Sequence, residues 1–146
     1  MAVMKMKCHC GKIIEATIGD CIYNDNFRWY QTYYCESCGN ATEIDGIGNI
    51  PPEIKQAIIK QEGEFVLVST QRKNRAKIIY LLKKMPCGDS NLFQLFKEEK
   101  TDKIFSGTKN EMTYMKNYLI TKGIKESAVE CLSLRQERNQ NLSDNV

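Results

Sequence analysis

Two short cysteine pairs carry the clearest chemistry in this chain of 146 residues: Cys8-His9-Cys10-Gly11 and Cys35-Glu36-Ser37-Cys38-Gly39. Two ligands one or two residues apart require a tight turn that aims backbone amides at the sulfurs. A glycine directly after the second ligand permits the positive φ of such a turn. Four thiolates in tetrahedral geometry make a closed structural site, and thiolate ligation selects zinc or iron over magnesium or calcium. The expected ligands are Cys8, Cys10, Cys35 and Cys38, with structural Zn2+ as the cofactor; His9 and Cys21 are the candidates to replace one of them. A redox pair at Cys35 and Cys38 would leave Cys8 and Cys10 unexplained. A catalytic zinc needs an open position and a nearby acid or base. The sequence holds a single histidine and no His-x-Glu or His-Glu-x-x-His motif. No nucleophile–base pair, phosphate loop or carboxylate constellation stands out, so an enzyme is not expected. Cys21, Cys87 and Cys131 read as small apolar residues.

The 24 residues between Cys10 and Cys35 suit a hairpin that brings the pairs together. Lys12 to Ile18 is strand-like and ends at Gly19-Asp20; Asn24-Asp25-Asn26 is turn chemistry; Phe27 to Cys35 is rich in strand-favouring aromatics. Strand alternation places Phe27, Trp29, Gln31 and Tyr33 on one face, to cover a thin core. It leaves Arg28, Tyr30 and Tyr34 on the other, where they are candidates to meet a partner. About forty residues are too few to build an adequate core alone, and zinc binding of about 10–16 kcal/mol would supply the missing folding energy. Over residues 8–45 the pattern resembles the zinc-ribbon family, with one departure: its first pair has one intervening residue where ribbons more often have two.

Composition bounds the rest. With 42% hydrophobic and 27% charged residues the chain is not a disordered one. No apolar run approaches the roughly 20 residues of a membrane span, and the start shows no signal-peptide pattern, so a cytoplasmic protein is expected. A net charge of +3 is too weak to mark a nucleic-acid binder. The charge is uneven, however: residues 1–45 carry a net −2 and residues 46–134 a net +5. Between these regions, Asp45-Gly46-Ile47-Gly48-Asn49-Ile50-Pro51-Pro52 reads as a boundary. The expected organisation is a zinc ribbon over 1–45, a linker and helix over 46–63, an α/β unit over 64–134 and a flexible tail over 135–146.

In the second unit, Pro52 suits the first turn of a helix and Gly63 its C-terminal cap. Glu64 to Thr70 is a β-branched apolar run and reads as a strand. Ala76 to Met85 repeats apolar positions at helical spacing, and Pro86 and Gly88 stop it. Ser90 opens a shorter helix with Leu92, Phe93 and Phe96; Lys103 to Ser106 is an edge-like strand. Thr108-Lys109-Asn110-Glu111 fits a capping box that opens another helix, closed at Gly123, and a last strand follows near Ala128 to Leu134. The fold class is therefore α+β: a small N-terminal zinc ribbon, then a compact β-α-α-β-α-β sandwich with its helices on one face of the sheet.

Residues 64–134 resemble the C-terminal domain of the ribosomal stalk protein through Ala76-Lys77-Ile78-Ile79-Tyr80-Leu81-Leu82-Lys83-Lys84 and through Gly107-Thr108-Lys109-Asn110-Glu111-Met112 running to Gly123-Ile124. The glycine-rich turn by which that family recruits translation factors is replaced here by Met85-Pro86-Cys87-Gly88-Asp89. Arg72, Lys73, Arg75, Lys77, Lys83 and Lys84 place six positive charges over residues 72–84 with no acid. Such a stretch either is a solvated helix face or meets phosphates or an acidic protein surface, with Arg72, Lys73, Arg75 and Lys77 as the candidate contacts.

Taken whole, the ribbon, the Asp-Gly…Pro-Pro-Glu-Ile linker and the stalk-like unit resemble small bacterial immunity proteins of polymorphic toxin systems. That resemblance implies neutralisation of a cognate secreted toxin by direct binding, with the toxin domain as protein partner. The alternative expectation is a nucleic-acid- or ribosome-associated zinc-ribbon factor.

Overall fold

A computed structural model describes residues 2–85 and 103–134. The chain divides between Glu62 and Gly63 into two compact units. Among the described residues it is a mixed α+β protein with two antiparallel sheets and three α-helices.

The first unit is a four-stranded meander, β1 (Ala2–Lys7), β2 (Ile13–Tyr23), β3 (Asn26–Tyr34) and β4 (Ala41–Ile47), in sheet order β1-β2-β3-β4, followed by α1 (Pro52–Glu62). The turns β1–β2 and β3–β4 lie at one end of the sheet and β2–β3 at the other, as an up-and-down meander requires. The β2–β3 turn is a two-residue loop with Asn24 at φ 49° and Asp25 at φ 59°, the left-handed pair that matches strand twist and that Asn and Asp tolerate best among non-glycine residues.

β2 runs straight through Gly19-Asp20, where the sequence suggests a stop. The reason is cross-strand. Gly19 pairs with Tyr30, whose ring occupies the space a side chain at 19 would need. On the other face Gly46 pairs with Trp29, and a Cβ at 46 would sit 2.6 Å from the indole. Each glycine is thus covered by a neighbouring aromatic, which restores the contact its missing side chain would have made. The Gly46 pairing also draws Asp45-Gly46-Ile47 into β4, so the stretch read as a boundary begins inside a strand.

Helix α1 packs on β1 and β2. Ile54 and Ile58, four residues apart on one stripe, are buried, as are Ala2, Ala16, Ile18, Phe27 and Ile50. From α1, the Gln61 side chain accepts from the Val3 backbone N–H at 3.0 Å and donates to the Val3 carbonyl. One amide thereby satisfies both outward backbone groups of an edge-strand residue.

The second unit has a three-stranded sheet in order β6-β5-β7, from β5 (Phe65–Ser69), β6 (Lys103–Gly107) and β7 (Val129–Ser133). Among the described residues it has two helices, α2 (Arg75–Lys83) and α3 (Lys109–Thr121). α3 packs on all three strands and α2 packs on α3. Leu67, Ile78, Leu82, Ile104, Phe105, Met112, Met115, Leu119 and Val129 share one core. A register shift in the β5–β6 ladder leaves Ile104 without a direct partner, so that both Ile104 and Phe105 are buried. The α3 capping box forms as its sequence implies: Glu111 N–H donates to Thr108 Oγ1 and Thr108 N–H to Glu111 Oε1, each at 3.0 Å. Gly107 makes room for it, since a Cβ there would meet the Glu111 carboxylate at 2.5 Å. The helix expected from Ser90, and Cys87, lie outside the described residues, as does the tail over 135–146.

Candidate metal centre

The meander explains why the cysteines meet. Both cysteine loops connect strands at the same end of the sheet, the first between β1 and β2 and the second between β3 and β4. Their backbones fold alike despite unequal spacing. Cys8 N–H donates to the Lys12 carbonyl at 2.8 Å and Cys35 N–H to the Asn40 carbonyl at 2.9 Å. Gly11 N–H returns to the Cys8 carbonyl at 2.8 Å and Gly39 N–H to the Cys35 carbonyl at 2.7 Å. Gly11 at φ +95° and Gly39 at φ +77° adopt the left-handed conformation that lets each loop re-enter its strand.

The four sulfurs of Cys8, Cys10, Cys35 and Cys38 lie within 4.8 Å of one another. The contacts between loops are Cys8 Sγ to Cys38 Sγ at 3.6 Å and Cys10 Sγ to Cys35 Sγ at 3.7 Å. Four thiolates about 2.3 Å from a central ion stand about 3.8 Å apart along the edges of a tetrahedron. A disulfide requires about 2.05 Å, and all four cysteines are free. The set could therefore hold a metal ion. Cys8 and Cys35 are buried while Cys10 and Cys38 are exposed.

The backbone prepares the sulfurs for ionisation unequally. The Cys38 amide directed at Cys35 lowers that thiol from 9.0 to about 7, against desolvation and with help from the Ser37 amide. The Asn40 amide also pulls Cys38 down, but desolvation and the thiols of Cys8, Cys35 and Cys10 outweigh it and push Cys38 up to about 12. A crowd of thiols can share only so much negative charge without a cation among them.

Of the two substitute ligands, neither joins the cluster. His9 Nδ1 stands 3.6 Å from Cys8 Sγ and 3.4 Å from Asn40 Nδ2, beside the cluster and outside the set of four. Cys21 pairs with Arg28 in the ladder and is exposed, so it is not a packing residue either. Asn40, which also donates to the Tyr33 hydroxyl at 3.3 Å, was not legible as part of this surround. Its only sequence signal is its place directly after the Cys38-Gly39 pair. In the second unit Cys131 is half-buried, and burial pushes its thiol up despite the nearby Lys116.

The partner-contact candidates fall in two places. Arg28, Tyr30 and Tyr34 share the face of the first sheet that carries Thr17, Gly19 and Cys21, opposite the buried Ile18 and Phe27. Tyr34 is 61% exposed, and the Arg28 guanidinium lies 5.6 Å from the Tyr23 ring centroid. Arg28 Nε is buried without a hydrogen-bond partner among the described residues. Elsewhere, Arg72 begins a 3-10 turn, Arg72–Asn74, that leads into α2 at Arg75. Lys73 and Lys77 line a cleft, whereas Lys84 Nζ turns onto the Tyr80 ring at 4.4 Å; the basic stretch is thus divided between different surroundings. No described helix is long and apolar enough to cross a membrane. The chain matches no protein-family model, no curated protein and no solved structure.

Proposed function

We propose that the four cysteines hold a structural zinc ion and that the protein is a zinc-stapled binding module. In this reading it is a cytoplasmic, non-enzymatic immunity protein that neutralises a cognate secreted bacterial toxin by occluding its toxic domain. The observation that carries the metal reading is the pair of sulfur separations, 3.6 and 3.7 Å across the two loops, close to the edge of a zinc–thiolate tetrahedron. Zinc suits the donors because it is content with four sulfurs and has no redox chemistry of its own. Four protein ligands leave no open position for substrate, which favours scaffolding over catalysis.

The binding reading is supported by the Arg28, Tyr30 and Tyr34 face, the residue types in which interfaces concentrate their energy. A metal-fixed sheet presents such side chains with little ordering cost on association. The test has two parts. Elemental analysis of protein purified without added metal should return about one zinc per chain; a metal-free, fully folded first unit would end the reading. This reading expects a toxin domain encoded beside this gene; that domain should bind the purified protein, and Arg28→Ala or Tyr34→Ala should weaken that binding by about 1–2 kcal/mol or more. Repeating the titration at two salt concentrations separates this from phosphate-dominated binding, which weakens steeply with salt.

A further inference from the structure

A second site of different chemistry lies in the second unit, between the entry to α2 and the exit of α3. It is a cleft of about 190 Å³ lined by Lys73, Lys77 and Lys125, by Gln71 and Asn74, and by the Gly123-Ile124 turn. The third lysine is nearly fifty residues away in sequence from the others, and the fold brings it there by identifiable bonds. Thr70 N–H donates to the Ala128 carbonyl at 3.0 Å, and Thr70 Oγ1 donates to the Ser127 carbonyl at 2.7 Å. These lash the segment before α2 to the segment after Lys125. Gly123, at φ +97°, ends α3 and reverses the chain into that segment.

The cleft lining combines basic and amide residues with the apolar Ile124. Its lining holds three cationic side chains and, among the described residues, no acid. Asn74 Nδ2 donates to Gln71 Oε1 at 3.2 Å, which uses the acceptor of Gln71 and leaves its amide N–H groups as donors. Asn74 is the N-cap of α2, yet its side chain makes no cap hydrogen bond, and the first turn of α2 carries no acid. The partial positive charge of that helix end has the same sign as the lysines. The volume falls below the roughly 300–1,000 Å³ of ordinary small-molecule pockets, so it suits one oxyanion group. Three positive charges match a phosphate, at about −1.5 to −2, better than a single carboxylate.

We infer that this cleft binds a phosphate group, supplied by a small phosphorylated molecule or by the backbone of a single-stranded nucleic acid. The site uses none of the cysteines, so it stands or falls separately from the zinc reading. The full chain, loaded with zinc, is titrated with inorganic phosphate and, separately, with a short single-stranded RNA while backbone amide NMR signals are followed. Shifts confined to residues 71–77 and 123–125 are expected. Lys125→Glu should raise the phosphate dissociation constant about tenfold, whereas Lys60→Glu, the same charge change at an exposed position of α1, should change it less than about twofold. Lys125→Gln checks that any loss follows charge with the fold intact, read from unchanged signals of the β5–β7 core. RNA binding about tenfold tighter than phosphate identifies a nucleic-acid chain as the source; equal or weaker RNA binding identifies a small phosphorylated ligand. Shifts scattered over all lysines, equal effects of Lys60→Glu and Lys125→Glu, or the same shifts with acetate at equal concentration would each overturn the inference.

Discussion

The two units solve one problem in different ways. The second holds a shared core of Leu67, Ile78, Leu82, Phe105, Met112 and Leu119, all buried between sheet and helices. The first spreads a four-stranded sheet under one eleven-residue helix, and its buried apolar side chains are fewer and smaller: two alanines, three isoleucines of strand and helix, a phenylalanine and Ile50. Small domains bury too little surface to offset chain entropy. In the proposed reading, a metal held by the four sulfurs ties together the two cysteine loops at one end of that sheet, a constraint the second unit has no need of. On that reading, the difference teaches that the clustered cysteines sit where the core is short.

The largest effect that would sharpen this contrast is metal removal. Chelation, or Cys35→Ser, should unfold the first unit, since structural zinc contributes about 10–16 kcal/mol of apparent binding energy, while hydrogen-exchange protection in β5, β6 and β7 persists. Equal loss of protection in both units would break it. The converse is next in size. Leu67→Ala, at a position 0% exposed, should cost about 2–5 kcal/mol in the denaturant midpoint of the second unit and leave metal content unchanged.

A pH titration across neutrality probes the cysteine cluster of the first unit. Cys35 is held at about 7 and Cys38 at about 12, so the metal-free site near neutrality keeps protons that a bound cation must displace. The sign follows from both shifts. Without metal, the depressed Cys35 contributes stability that is present above its ordinary 9.0 and is lost as pH falls towards 7. The raised Cys38 contributes stability that is present below 9.0 and is lost as pH rises towards 12. With metal, zinc affinity measured against a competing dye should fall as pH drops through 7, with proton uptake on release. An affinity flat from pH 8 to 6 would contradict this reading of the thiols.

The smallest expected effect is Thr108→Ala. It removes one half of the α3 capping box and should destabilise the second unit by about 0.5–2 kcal/mol, read by thermal unfolding. A shift in the first unit instead would mean the two are energetically coupled.

How much of this was legible depends on whether the signal was local. The Thr108–Glu111 box and the two cysteine loops are statements about residues three or four apart, and the structure realises them. β5, α2, β6, α3 and β7 follow runs with their own periodicity. β1 and β4 carry no such local signal, because their strand character is conferred by neighbours. Ala2–Lys7 alternates buried or half-buried residues with exposed ones only once laid against β2. Asp45-Gly46 looks like a turn until Trp29 covers it. The same holds for the sites. The four cysteines announce themselves by spacing, whereas Lys125 joins Lys73 and Lys77 only through the Thr70 bonds to 127 and 128.

Trp29 resting on Gly46 has a practical consequence. It is the chain's single tryptophan, and it sits on the sheet whose strands run to the cysteine loops. Excitation of the indole band therefore gives an optical readout of the first unit alone, so the melting of one half of the molecule can be followed in the intact protein without a label.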